Sequence, residues 1–303
     1  MIQNYLGEFA ALLTAVFWTI TALAFQQASR KVGSLVVNIL RLGFAMVFYS
    51  IFLFFYQGTF YPADAGMHQW IWLAISGVIG FVLGDLFLFE AYKLIGARIS
   101  MLIMALAPPI AAFSGWLALG ENMSWLALLG MFVTMTGIAL VILQRKTNDD
   151  GSQQKITLTH SLKGLLFAFG GAMGQGIGLV LSKYGMQDYD PIASSQIRVI
   201  TGFIGFTFII SILGKWRNVG NAFSNIPAMK NLSVGTVFGP FLGVSMSLIA
   251  VKFTSAGIAS TLMQIVPVLI IAPSVFLFKE KVTWREIFGA IVTVIGVALF
   301  FIK

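Results

Sequence analysis

Of the charged side chains within or close to long apolar stretches of this 303-residue sequence, Arg41, Asp85, Glu90 and Arg198 stand out. A charge at membrane depth costs on the order of several kcal/mol unless it is paired or hydrated, so such a group is a candidate for function. Asp85 is the only deeply placed carboxylate. It lies about seven residues before the end of its apolar run, and Arg41 lies about nine residues into the preceding run. At ~1.5 Å per residue both fall roughly 10–13 Å below the same surface, where they can meet. Asp85 is therefore a candidate proton-coupling or substrate-binding group with Arg41 as its modulating partner; the alternative is a purely structural pair. Arg198 approaches from the opposite side and is expected at the mirror depth, a poor partner for Asp85. Glu90 stands near a run end beside Lys93, which favours an interfacial salt bridge over a transport role.

Uncharged polar groups extend the constellation. Thr14, Trp18, Thr19, Thr21, Asn38, Gln175, Gln196 and Gln264 all lie inside apolar runs. Each can line a cavity or make an interhelical hydrogen bond. Trp18, Gln175 and Gln264 would suit a small amphipathic solute. Pro108 and Pro267 each fall near the middle of an expected helix. A proline there removes a backbone donor and kinks the helix, making the two residues hinge candidates. Glu121 and Glu280 fall in tight turns, and Thr283 with Glu286 fits a capping box; these read as structural. The chain has no cysteine and two histidines, His68 and His160, both in expected loops. No metal site, cofactor site or nucleophilic constellation is expected, and an intramembrane enzyme is disfavoured for that reason.

The elements that hold these residues are apolar helices. Hydrophobic residues make up 58% of the sequence and charged ones only 10%, with a mean hydropathy of +0.90. A soluble domain of this size needs roughly a quarter of its residues charged, so lipid must cover most of this surface. Runs long enough to span a bilayer fall near 9–28, 32–56, 69–92, 96–119, 123–143, 162–184, 191–213, 232–252, 256–278 and 284–302. The expected fold is an all-α membrane protein of ten transmembrane helices. The N-terminus lacks the basic stretch of a signal peptide, so the first run is read as a retained helix. The net charge of +8 forms no patch interleaved with aromatics and gives no reason to expect nucleic acid.

The polar stretch 144–161 divides the chain into 1–143 and 162–303. With a shift of 159 and no gaps, residues 91–142 lie over 250–301 with 14 of 52 positions identical, among them Pro108/Pro267, Glu121/Glu280, Trp125/Trp284, Gly130/Gly289 and Gly137/Gly296. A shift of 157 places Trp18 over Gln175 and Arg41 over Arg198. Five helices per half make the second half enter from the opposite side, an inverted repeat. Small residues recur at four-residue spacing: Ser76, Gly80, Gly84; Gly170, Gly174, Gly178; and Gly235, Gly239, Gly243. Each set marks a protein-facing helix stripe, for static packing or for sliding. Asp85 breaks the repeat, since its counterpart is Val244, and Glu90 faces Ile249.

In these features the chain resembles the EamA group of the drug/metabolite transporter superfamily. Each half has a stretch before a central proline, then a Gly-Glu or Lys-Glu turn, then a Trp-x4-Gly-x6-Gly helix. These are residues 97–108, Gly120-Glu121 and 125–137, echoed by 256–267, Lys279-Glu280 and 284–296. The resemblance implies a secondary transporter of the cell (inner or plasma) membrane. It would work by alternating access, as an exporter of amino acids, related metabolites or drugs, with protons as a candidate coupling ion. The rival from another class is a non-transporting sensor or assembly subunit. The resemblance also implies cytoplasmic termini. The positive-inside rule points the other way, since 14 of the 19 Lys and Arg fall on the side away from the termini.

Overall fold

The computed structural model describes residues 6–119, 125–146, 155–158, 160–253, 259 and 262–300. Apolar runs become helices because only a helix satisfies its own backbone donors and acceptors where no water is available. In the first half these are α1 (Leu6–Val32), α2 (Ser34–Gln57), α3 (Met67–Gly77), α4 (Asp85–Met104), α5 (Ala107–Leu119) and α6 (Trp125–Ile142). The second half holds α7 (Leu162–Met186), α8 (Pro191–Ile212), α9 (Trp216–Ala222), α10 (Ile226–Thr236), α11 (Val244–Phe253), α12 (Val266–Leu269), α13 (Ile271–Phe278) and α14 (Trp284–Phe300). Large apolar side chains such as Phe55, Phe132, Leu166, Phe208 and Phe276 point outwards, whereas Ala10, Ala11, Ala15, Ala168, Ala172 and Ala193 are buried. Only a lipid environment accommodates so continuous an apolar exterior.

Six helical spans among the described residues are long and apolar enough to cross a bilayer: Leu6–Val32, Ser34–Gln57, Met67–Met104, Leu162–Met186, Pro191–Ile212 and Ile226–Phe253. The remaining expected spans are shorter or interrupted. Thus α5 has 13 residues, a rise of about 20 Å, and reaches across a ~30 Å hydrocarbon core only together with the stretch before it.

Two differences from the sequence expectation concern helix continuity. First, 78–84 and 237–243 are π-helical and join α3 to α4 and α10 to α11. The two segments are related by the same shift of 159 that aligns the repeats. The wider π turn follows from local chemistry: both segments carry glycines, and Pro240 has no N–H to donate. Tyr49 supports the second one, its hydroxyl lying 2.8 Å from the Pro240 carbonyl oxygen. Second, neither Pro108 nor Pro267 kinks a continuous helix. The chain leaves the helix at Ala105 and Leu106, and again at Gln264 and Ile265, so each proline stands in the first turn of a new helix. In that position its missing N–H has no partner to lose. An additional break at Gly96 (φ 80°) separates expected helices three and four, and Gln26 Oε1 accepts the freed Ala97 N–H at 2.9 Å.

The stretch 144–161 also departs from a plain loop. Leu143–Lys146 (β1) and Lys155–Leu158 (β2) pair antiparallel, with Leu143 opposite Leu158. A short helix, α9, occupies part of the connection expected at 214–230. Glu121 lies outside the described residues. Thr283 and Glu286 form the expected capping box, with Glu286 Oε2 accepting from Thr283 N at 2.7 Å.

The small-residue stripes meet one another or a partner helix. Gly84 abuts Gly174, Gly80 abuts Gly178, and Ser76 Oγ donates to the Gly178 carbonyl at 2.7 Å, closing α3 and its π segment onto α7. Across the molecule Gly235, Gly239 and Gly243 accept the side chains of Phe25, Thr21 and Trp18 of α1. The two Trp-x4-Gly-x6-Gly helices, α6 and α14, pack on each other: Gly137 faces Thr293, and Gly296 faces Thr134. At one end of the bundle Arg98 pairs with Glu280 and Glu286 at 3.3 and 3.2 Å. At the other, Tyr189 donates to Asp64 at 2.6 Å, and Lys252 reaches the carbonyls of Asp188 and Tyr189.

Gly289→Leu places a bulky side chain where the Gly137 carbonyl oxygen lies 2.8 Å from a bare Cβ position. It is expected to cost about 1–3 kcal/mol by overpacking, read as a fall in melting temperature of the detergent-purified protein. Gly220→Ala, with nothing within 4 Å of its Cβ position, serves as the neutral control. An equal response of the two variants removes α6–α14 packing as a determinant of stability.

Candidate functional site

A cavity of about 110 Å³ lies between the helices of both halves. Of the residues singled out from the sequence for a cavity or hinge role, Trp18, Thr21, Arg41, Asp85, Pro108, Gln175, Arg198 and Gln264 line it. Glu90 and Pro267 do not. Glu90 accepts from Lys93 Nζ at 2.8 Å and from Ser34 Oγ, near the membrane boundary. Gln196 also points elsewhere, its amide donating to Ser50 and to the Phe60 carbonyl.

Asp85 follows the π segment directly, and that placement turns its side chain into the bundle. Oδ2 pairs with Arg41 Nη2 at 2.5 Å, and Oδ1 accepts from Gln175 Nε2 at 2.9 Å. Arg41 is further held by Asn38 Oδ1, which accepts from its Nε at 3.0 Å. Both ionic side chains are about 95% buried, so each relies on the other for compensation. The walls around Arg41 are aromatic: its guanidinium carbon is 4.8 Å from the Phe89 ring centre, 5.7 Å from Phe81 and 5.8 Å from Phe25. Cation–π attraction strengthens when water is excluded, and this site excludes it.

Arg198, expected to approach from the opposite side as a poor partner for Asp85, forms no ion pair with it among the described residues, yet it lines the same cavity. The reason is a close helix crossing. The backbone of Arg198 lies 2.7 Å from where a Cβ on Gly77 would sit, and its Nη2 lies 3.1 Å from the corresponding point on Gly80. Missing side chains admit α8, and the long Arg198 side chain then runs along the π segment. Its guanidinium carbon lies 4.7 Å from the ring centre of Phe81, closer than that of Arg41 at 5.7 Å. Depth counted along ideal helices does not register a side chain of that reach.

Sequence reasoning missed Phe25, Phe81, Phe89, Tyr92, Met101 and Met104 as cavity walls. In an apolar run nothing in the residue type separates an aromatic that faces a cavity from one that faces lipid. The one available signal was spacing: Phe81, Asp85 and Phe89 stand four apart, on one helix face.

Comparison with known families now decides the assignment. The family model for EamA-like transporters matches the chain twice, over residues 5–143 and 162–302. The chain belongs to the EamA-like transporter family. It is accordingly a multi-pass membrane protein of the drug/metabolite transporter superfamily, with one EamA repeat in each half. Arg41 and Asp85 come from the first EamA repeat and Gln175, Arg198 and Gln264 from the second, so the cavity is built by both. A solved structure, described as a crystal structure of a protein, is similar in fold at a TM-score of 0.63 and 15% identity, over 97% of this chain and 95% of that one. Comparison with curated proteins returns no match.

Arg41→Gln and Asp85→Asn each strand a buried charge and are expected to destabilise the protein by about 3–5 kcal/mol. The double variant, with no stranded charge between the two positions, is expected to lose clearly less than the sum of the singles. Denaturation of all four proteins in one detergent measures this, and strict additivity would show the pair to be energetically idle.

Proposed function

We propose that this EamA protein is a secondary transporter that exports amino acids or related small metabolites by alternating access. The cavity that the two repeats share, with a buried Arg41–Asp85 pair at its wall, is the observation that carries this reading. A few hydrogen-bonding groups in an apolar lining suit the orientation of a small organic solute. The proposed architecture is ten membrane helices in two oppositely inserted five-helix units, 1–143 and 162–303, joined by 144–161, in the cell (inner or plasma) membrane.

Two groups of contacts support the inverted arrangement. The Asp64 segment before α3 meets the Tyr189 turn and Lys252 at the end of α11. The far end of the first unit's third helix lies instead towards Arg98 and its partners Glu280 and Glu286. These contacts favour helices in equivalent places running in opposite directions, as an inverted repeat requires. The ends of both units also carry polar contacts that an alternating-access cycle would have to make and break.

Asp85 is the proposed proton-coupling group, with Arg41 competing for its negative charge. The asymmetry supports this role: a carboxylate serving only to join helices has no reason to be confined to one repeat, and the second repeat has Val244 there. Pro108 and Pro267 are proposed hinges, because each stands where a helix has already been interrupted.

The test begins with a solute that raises the melting temperature of the purified protein, since binding to the folded state stabilises it. That solute is then followed in proteoliposomes with and without a pH gradient. Wild type is expected to accumulate it against its gradient when protons flow down theirs. Asp85→Asn is expected to retain downhill exchange and lose the pH-driven component. Undiminished proton-driven accumulation by that variant removes Asp85 from coupling, and the absence of solute flux by wild type leaves the sensor or assembly role.

A further inference from the structure

Among the described residues four ionisable side chains face the cavity: Arg41, Asp85, Tyr92 and Arg198. Three are already satisfied. Arg41 and Asp85 neutralise one another, and Tyr92 Oη donates to Met101 Sδ at 3.3 Å. The second carboxylate oxygen of Asp85 is also occupied, by the Gln175 amide. Arg198 is different. Its residue is 4% exposed, its Nε has no hydrogen-bond partner, and none of the ion pairs among the described residues includes it. The Phe81 ring attracts the cation but accepts no conventional hydrogen bond.

Gln264 supplies a second unsatisfied group of opposite kind. It stands in the broken turn before Pro267, is 7% exposed, and its Oε1 has no partner among the described residues. Among the described residues the cavity thus carries two arginines against one aspartate, a net positive charge, with an unpartnered donor at Arg198 Nε and an unpartnered acceptor at Gln264 Oε1, between walls that include Phe25, Phe89, Met101 and Met104. A buried donor left without a partner carries a desolvation cost that a bound acceptor relieves. An organic cation finds no free carboxylate among the described lining residues, because that of Asp85 is held on both oxygens.

We propose that Arg198 is the anion-binding group of the cavity, and that its solute is a small carboxylate with an apolar body and a hydrogen-bond donor for Gln264. A guanidinium matches a carboxylate through two parallel N–H···O bonds, which a lysine cannot reproduce. The inference rests on reading the cavity as the solute site and adds to it the charge class of the solute.

Three probes sharing one aromatic body separate the classes: 3-phenylpropionate, L-phenylalanine and phenethylamine, with sodium chloride and inorganic phosphate as small anions. Titrated into the full-length protein in detergent, the two carboxylates are expected to raise the melting temperature, and phenethylamine and the inorganic anions to leave it unchanged. Arg198→Lys should weaken 3-phenylpropionate binding about 10-fold and Arg198→Gln about 100-fold, the loss of one and then both charge-assisted bonds. Gln264→Leu should weaken L-phenylalanine, which carries N–H donors, and spare 3-phenylpropionate. Because Arg198→Gln also removes a cation that packs on Phe81 and so carries a folding cost of its own, Arg198→Lys and Gln264→Leu suffice for the decision.

The inference is overturned by equal binding of phenethylamine, by inorganic anions binding as well as the carboxylates, by no carboxylate binding at all, or by unchanged carboxylate affinity in Arg198→Lys. Flux assays keep it separate from the transporter reading. Transport of phenethylamine without carboxylate binding leaves a transporter and removes the anion site. Carboxylate binding that depends on Arg198, without flux of any probe, does the reverse.

Discussion

The architecture depends on close approach of helix backbones in a medium that offers no hydrophobic reward for association. Lipid tails are as apolar as leucine, so membrane helices are held by van der Waals contact and by polar bonds made at short range. Here that contact is made where side chains are missing. Gly80 and Gly84 meet Gly178 and Gly174, and the stripe from Gly235 to Gly243 receives α1. These same stripes run through the two π segments, so the positions that let helices touch also set the local twist. Asp85 and Val244 each follow one π segment, and the close packing fixes which way they face.

Within that frame the cavity resolves a conflict between charge and membrane. Two arginines and one aspartate are buried where an isolated ion is costly. One arginine is paired with the aspartate, and both guanidiniums lie within reach of the Phe81 ring. Arg41 and Arg198 are equivalent in the two EamA repeats, but their surroundings are not. The first repeat supplies a carboxylate and the second an aliphatic residue at the equivalent position, so among the described residues Arg41 has an ion-pair partner and Arg198 has none. A transporter needs such inequality, because a site equally satisfied on both sides gives a solute nothing to bind.

The helix breaks have a comparable logic. Interruptions at Ala105–Leu106 and at Gln264–Ile265 occur at equivalent places, each one turn ahead of a proline. The prolines then cost little, and tight-turn bonds such as Leu106 N–H to the Ile103 carbonyl and Ile265 N–H to the Leu262 carbonyl take up backbone donors at the breaks. Gln26 shows a different treatment at Gly96, where a side-chain oxygen takes up the exposed backbone donor and the break becomes fixed.

The membrane character, the division into two related halves, the small-residue stripes and the Arg41–Asp85 encounter were all legible in the sequence. They follow from composition, from matched positions at a fixed shift, and from rise per residue, each a property of the chain taken along its length. Helix continuity was not legible, because π turns and breaks at Pro108 and Pro267 arise from how neighbouring segments press on glycine- and proline-containing turns. The aromatic walls were hidden because Phe81 and Phe89 look the same whether they face lipid or a cavity. That Arg198 shares the cavity with Arg41 and Asp85 was hidden for a related reason. Depth along one helix is a one-dimensional quantity, whereas the reach of a guanidinium past Gly77 and Gly80 depends on how closely two helices cross. The residues determined which charges must be buried; the crossing of the helices decided which of them is left with a free face.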